Sequence, residues 1–200
     1  VQLAIIPFML IGGANFALYV HVFRGDVRKL TEDIEFRSYL LAVTGFGVVV
    51  SGVLFAGVGL AETPAAVDTI PGNLENGLRQ GLFQVVSIVT TTGYASMDFN
   101  TWSEGTKLVL LFAYFLGGSA ASAAGSVKIV RWVIAKRAID RSLFTSIHPE
   151  AIRPIRLNGN VVDESTVRDV LVFIVLFLAL FVLSSILLYL DSLRTPGVSL

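Results

Sequence analysis

Long runs without charge dominate this chain. Residues 1–23, 38–61, 108–127 and 170–190 contain no Asp, Glu, Lys or Arg. A membrane helix needs about 20 apolar residues, at about 1.5 Å each, to cross about 30 Å of hydrocarbon. Segments 38–61 and 170–190 meet that length outright, and 170–190 is apolar on every side, as a lipid-facing helix is. The pattern predicts an all-α transmembrane fold. An apolar run that opens at Val1, and a short polar tail that ends at Leu200 just after a span, suggest an internal piece of a longer membrane protein.

A fifth uncharged stretch, 80–97 (QGLFQVVSIVTTTGYASM), is shorter and chemically different. It either crosses the bilayer or dips in and returns. Cytoplasmic loops are enriched in Lys and Arg, so the flanking charges decide. Loop 24–37 carries Arg24, Arg28, Lys29 and Arg37, and residues 128–169 carry Lys128, Arg131, Lys136, Arg137, Arg141, Arg153, Arg156 and Arg168. Residues 62–107 offer only Arg79 and Lys107, against Glu62, Asp68, Glu75, Asp98 and Glu104. If 80–97 turns back, twelve basic residues fall on one face and two on the other. If it spans, most of that asymmetry disappears. The re-entrant reading is therefore preferred, with loops 24–37 and 132–165 cytoplasmic and 62–107 extracellular or periplasmic.

The content of the stretch agrees. A helix over 76–89 would measure about 21 Å, too short to cross. Thr90-Thr91-Thr92-Gly93-Tyr94 follows, a poor helix sequence: β-branched threonines lose rotamer freedom in a helix, and Gly93 tolerates a positive φ. Non-helical backbone survives at membrane depth only when buried in protein or facing water. A short helix whose negative end points into the membrane, followed by an extended run of free carbonyls, is the architecture of a cation filter. From these residues alone a second reading stands beside it, a Thr-rich turn in an extracellular loop. Segment 117–126 likewise has two readings. It contains only Gly, Ser and Ala, the composition of close helix–helix packing as well as of a flexible break.

Composition adds exclusions. The chain of 200 residues is 54% hydrophobic and only 15% charged, with fifteen basic residues balancing fifteen acidic ones. Net charge of zero implies no nucleic-acid partner. The absence of cysteine removes disulfides, thiol catalysis and Cys-ligated metal. His21 and His148 are the only histidines and neither has a paired ligand or base in the sequence. No GxSxG, HExxH or P-loop motif is present, and no carboxylate lies within the four long apolar runs, so neither an enzyme nor a carboxylate proton relay is indicated.

Three stretches, taken together, are similar to the Trk/Ktr/HKT superfamily of potassium transporters, most of all to its TrkH-type membrane subunit. Phe83 to Trp102 resembles the third pore loop with its TTTGY filter, Gly117 to Arg131 the glycine- and serine-rich break in the helix that follows, and His148 to Gly159 the link into the fourth unit. The resemblance implies a helix–re-entrant pore loop–helix unit of a potassium-channel-like fold, flanked by helices from neighbouring units. Residues 1–23 would close the second unit, 38–131 would form the third, and 166–200 would open the fourth, with 24–37 and 132–165 as cytoplasmic connections.

The implied function is potassium uptake across the cell (inner) membrane, with no cofactor. The non-conducting alternative is a helical membrane module for assembly. The filter would be Thr91, Thr92, Gly93 and Tyr94 acting through backbone carbonyls and supported by Thr90, with potassium at Thr91, Thr92 and Gly93. The gating loop would include Gly117, Gly118, Ser119, Ser122, Gly125, Ser126 and Lys128. This chain departs from the family at Ala121, Ala123 and Ser126, and alanine favours helix, so a stiffer or more helical gate is expected. Lys128 either anchors its helix at the headgroups or holds the loop closed through its carbonyls. Implied partners are a second copy of the full-length subunit, a cytoplasmic nucleotide-binding ring docking on loops 24–37 and 132–165, and membrane lipids. Trp102 reads as an interfacial anchor, Asp98 as a solvated outer charge, and Gly12, Gly13, Gly45, Gly47, Gly52, Gly57 and Gly59 as close-packing positions.

Overall fold

The computed structural model describes residues 1–56, 73–148, 150 and 153–194, except the side chain of residue 192. Gly57 and Gly59, the first part of the 62–107 loop, part of the 148–159 link and the polar tail after 194 therefore lie outside the described residues. The chain separates into two units, Val1–Val133 and Ile134–Leu200.

The first unit opens on two helices where one was expected. Helices α1 (Gln2–Gly13) and α2 (Phe16–Phe23) meet at a bend of 103°. Asn15 causes the break locally: it takes an extended backbone and its side chain accepts the amide of Ala17 at 2.9 Å, an N-cap that starts α2 in a new direction. The predicted loop 24–37 holds a short helix α3 (Arg28–Glu32) and the start of α4 (Ile34–Phe55), capped by Asp33 through the amide of Phe36. Capping residues and paired ions such as Arg28–Glu32 let helix continue beyond the apolar limits.

Helix α5 (Leu74–Val89) begins at Asn73, whose side chain accepts the amide of Asn76. Its second half is buried on every side, through Phe83, Gln84, Val85, Val86, Ser87, Ile88 and Val89. It packs chiefly on α4, and small residues set the spacing. A Cβ on Gly81 would lie 2.8 and 2.9 Å from the Ser51 backbone nitrogen and Cα, and one on Gly47 would press Leu82 at 3.3 Å. Gly45 and Gly52, expected to serve the same purpose, face no atom within 4 Å, and Gly45 instead lines an apolar recess with Phe46, Val109 and Phe112. A 3-10 turn capped by Asp98 leads to α6 (Glu104–Tyr114). Asp98 is exposed, as expected, but Trp102 is not an interfacial anchor: it is 2% exposed in the core, because the turn folds its indole inward beneath α6.

Helix stops at Tyr114 and resumes only at α7 (Ile129–Ile147), so the uncharged run 108–127 is not one span. In the second unit the expected cytoplasmic linker is largely ordered. Helix α7 continues to Ile147, and a two-residue hairpin, β1 (Arg156–Leu157) with β2 (Asn160–Val161), precedes α8 (Glu164–Arg194). The hairpin turn is Asn158-Gly159 with φ of 47° and 85°, the left-handed pair that a two-residue turn between twisted strands requires. Helices α4 and α8 are long and apolar enough to cross a membrane, and the bent pair α1–α2 is a third candidate.

The close contact at Gly81 gives a test. Gly81→Ala in the full-length protein is expected to lower stability by about 1–3 kcal/mol through overpacking, whereas Gly52→Ala should be neutral or favourable. Fluorescence-detected thermal unfolding in detergent checks it, and equal midpoints for the two variants would contradict the packing argument.

Candidate functional site

The predicted filter segment starts where the buried end of α5 stops. Thr90 caps the helix: its amide donates to Val86 O at 2.9 Å and its hydroxyl to the same carbonyl at 2.7 Å. Thr91 then turns left-handed (φ 53°), Thr92 does not, and Gly93 does again (φ 75°). The segment is thus non-helical but not extended throughout, because amides are drawn back onto the helix end. Thr91 N–H donates to Ile88 O, and Thr92 N–H donates to Ser87 O at 2.9 Å. Alternation of φ sign brings successive peptide groups to one side of a chain instead of alternating them.

The chain then reverses. The Ser87 hydroxyl donates to Tyr94 O at 2.6 Å, and the Ser96 hydroxyl donates to Gln80 Oε1. Gln80 lies nine residues before Val89, about 13 Å back along the helix. Residues 90–96 therefore retrace α5 toward the end from which it came. Among the predicted filter carbonyls, that of Tyr94 is turned onto α5 by Ser87. Those of Thr91, Thr92 and Gly93 accept no hydrogen bond from any described residue. All four residues are exposed, and the three threonines contribute to one recess with Gly12 and Ala123.

The predicted gating segment lies against this turn. Residues 116–128 form no helix despite Ala120, Ala121, Ala123 and Ala124, which corrects the expectation of a more helical loop. Its peptide groups are satisfied across the segment itself and by the end of α1. Gly117 N–H donates to Val127 O at 2.8 Å, Ser119 N–H to Gly13 O at 2.9 Å and Ala123 N–H to Gly12 O at 3.2 Å. In return, Ala121 O accepts the amide of Phe16. These bonds outweigh alanine's helix propensity, which is worth less than about 1 kcal/mol per residue.

The glycines have a steric role here. A Cβ on Gly117 would overlap the Gly125 carbonyl, and one on Gly118 the Gly13 carbonyl. Ser126 takes a left-handed φ of 62° and its hydroxyl bonds Tyr114 O at 2.6 Å. The turn and the loop touch directly, since Gly125 N–H donates to the Thr91 hydroxyl at 2.9 Å. Ser122 bonds back to Ser119 O, and Ser119 itself is fully buried.

Lys128 reaches back onto the preceding loop. Its ammonium donates to Ser122 O at 3.2 Å, to Ser122 Oγ at 3.3 Å and to Ala124 O. Sequence reasoning missed its counterpart. Glu35, in the first turn of α4 and only 6% exposed, accepts the amide of Ala120. A carboxylate this buried is maintained by such charge-assisted partners. The available signal was weak, since Glu35 is one of several charges (Glu32, Asp33, Arg37) that precede the apolar run beginning at residue 38. Gly13 is the close-packing position expected of it, since a Cβ there would meet the Tyr39 hydroxyl at 2.5 Å and Thr90 Cγ2 at 2.7 Å, and its carbonyl is in addition a loop partner. Ser87, which fixes the Tyr94 carbonyl, was also missed.

Residues 1–193 match the family model TrkH, described as a cation transport protein. The Trk system potassium uptake protein TrkH of Halomonas elongata is 28% identical over 186 residues, 92% of this chain and 36% of that protein. The Trk system potassium uptake protein TrkI of the same organism is 31% identical over 166 residues, 83% of this chain and 31% of that protein. The crystal structure of the potassium transporter TrkH from Vibrio parahaemolyticus superposes with a TM-score of 0.77 at 27% identity, covering 91% of this chain and 37% of that one. The chain thus spans about a third of the length of these relatives.

The Glu35–Ala120 contact predicts a dynamic effect. Glu35→Ala in the full-length protein should speed amide exchange over 118–124 about tenfold, the loss of one charge-assisted bond of roughly 1.5 kcal/mol. Hydrogen-exchange mass spectrometry reads this, and unchanged protection would mean that the loop does not depend on the carboxylate.

Proposed function

From the premise that this chain belongs to the TrkH family of cation transport proteins, we propose that it supplies one pore-loop unit to a potassium uptake protein. Residues 91–93 contribute one part of a selectivity filter. Three successive carbonyls without a protein partner, at the buried negative end of α5, carry the reading. Carbonyl oxygens replace the hydration shell of potassium, and the partial negative charge at a helix C-terminus favours a cation in front of it. Thr90 and Ser87 hold the turn. Tyr94, expected among the coordinating carbonyls, takes a supporting role, because its carbonyl is engaged by Ser87.

Residues 116–128 act as the gate. A non-helical segment in contact with Thr91 obstructs the path below the filter while Glu35 and Lys128 hold it. Opening requires those bonds to exchange partners, which makes the loop a two-state element that a regulator can bias. The charge asymmetry of the loops supports a cytoplasmic position for 24–37 and 132–165, where a nucleotide-binding ring of the kind implied by the family would act. The complete subunit would work as a homodimer in the cell membrane, and the remaining filter quarters come from pore loops beyond this chain.

Two measurements test the assignment in the full-length protein. Gly93→Ser places a side chain on a left-handed backbone, at about 1–2 kcal/mol of strain, and is expected to lower the preference for potassium over sodium in uptake assays. Unchanged selectivity would favour a non-conducting role for this turn. Deletion of 118–125 is expected to raise basal potassium flux, and an unaltered flux would remove the gate from the proposal.

A further inference from the structure

The second unit contains a cavity that the pore reading does not use. It measures about 360 Å³ and is lined by Arg137 and Arg141 of α7, by Arg153 and Arg156 beside the hairpin, and by Asp140, Pro154 and Ile155. That volume lies in the range of about 300–1,000 Å³ typical of small-molecule sites. Its two walls are fixed independently. Ile155 is buried and its carbonyl accepts the amide of Val162 at 2.8 Å, next to the hairpin register Arg156↔Val161. Arg153 is held with its guanidinium 5.0 Å from the centre of the Phe144 ring. Arg141 is pinned by both oxygens of Glu164, with Nη2 to Oε2 at 3.0 Å.

The charges do not cancel. Glu164 is taken by Arg141, and Asp140, the one carboxylate in the lining, is taken by Lys136 at 3.1 Å. Arg137, Arg153 and Arg156 have no ion-pair partner among the described residues. Three guanidiniums around one cavity repel one another unless an anion stands between them. Their planar forks match the oxygens of a phosphate group, which they bind through paired, charge-assisted hydrogen bonds. We propose that this cavity binds a phosphate group.

Its place in the chain bears on the source. Glu164, the residue that fixes Arg141, is also the first residue of the candidate span Glu164–Asp191. The cavity wall is therefore tied to the charged first turns of that helix, about 9 Å before its uncharged run begins at residue 170, a position within reach of lipid headgroups. Basic pockets at that level bind phospholipid phosphates. A free phosphate or phosphate ester presents the same chemistry, and the experiment separates the two.

The full-length protein is purified, stripped of lipid in detergent and compared with Arg137→Gln/Arg156→Gln, which leaves the Arg141–Glu164 pair intact. Thermal stability is titrated with phosphatidylglycerol, with phosphatidylcholine, and with inorganic phosphate against chloride at constant ionic strength. Wild type is expected to be stabilised by phosphatidylglycerol beyond phosphatidylcholine, with about a tenfold loss of apparent affinity in the double variant. The same loss seen with inorganic phosphate and not with lipid assigns the site to a free anion and equally supports it. Arg137→Lys/Arg156→Lys keeps the charge without the fork, guards against a folding defect in the first variant, and should lose affinity to a smaller degree. Equal responses of wild type and both variants to every titrant would overturn the proposal. So would variants that alter only association with a nucleotide-binding partner.

Discussion

Backbone that leaves the helix inside an apolar protein must find its hydrogen bonds elsewhere, and in the first unit everything is arranged around that requirement. An unsatisfied peptide group at membrane depth costs several kcal/mol. Residues 116–128 meet the demand by bonding to the end of α1 and to Glu35 and, within the segment, through Lys128, and α1 in turn ends where those bonds are needed. The bend at Asn15 and the break after Tyr114 are thus two halves of one exchange: Gly12 and Gly13 accept amides from the loop, and Ala121 accepts the amide of Phe16.

Close approach makes that exchange possible. Gly13 sits against Tyr39 and Thr90, Gly117 against the Gly125 and Val127 carbonyls, and Gly118 against the Gly13 carbonyl. A side chain at any of these would push apart main-chain segments that currently satisfy one another. The same contacts join the turn after α5 to the loop. Thr90 touches the α1 end that anchors the loop, and the Thr91 hydroxyl accepts a loop amide. A change at the loop is therefore mechanically adjacent to the turn at residues 91–93.

Some of this was legible beforehand and some was not. The position of the turn at 90–94 followed from threonine stereochemistry, a glycine and a helix too short to cross. The charge distribution argued for a chain that turns back, and Ser96 beside Gln80 is the geometry of such a return. Lys128 was readable only as two alternatives, a headgroup anchor or a partner of the loop carbonyls, and its contacts with Ser122 and Ala124 come from the folded chain. Glu35 was not, since its partner is an amide far along the chain and no local pattern marks such a pairing. The alanines at 120–124 misled for the same reason: propensity is a local term of tenths of a kcal/mol, and the bonds that overrode it are long-range. Trp102 misled because an aromatic near an apolar boundary reads as an anchor, whereas the turn after Asp98 carries it into the core.

By itself the sequence determined which segments are apolar enough to enter a membrane, that helix must stop at 90–94, and which way the charges bias the loops, because these depend on composition and on each residue's own conformational limits. Only the tertiary structure decided that Tyr94 gives its carbonyl to Ser87, that α1 breaks to receive the loop, and that four arginines from a helix and a hairpin converge on one cavity. Those outcomes depend on which distant groups come within hydrogen-bonding reach, a property of the folded chain and not of any stretch of it.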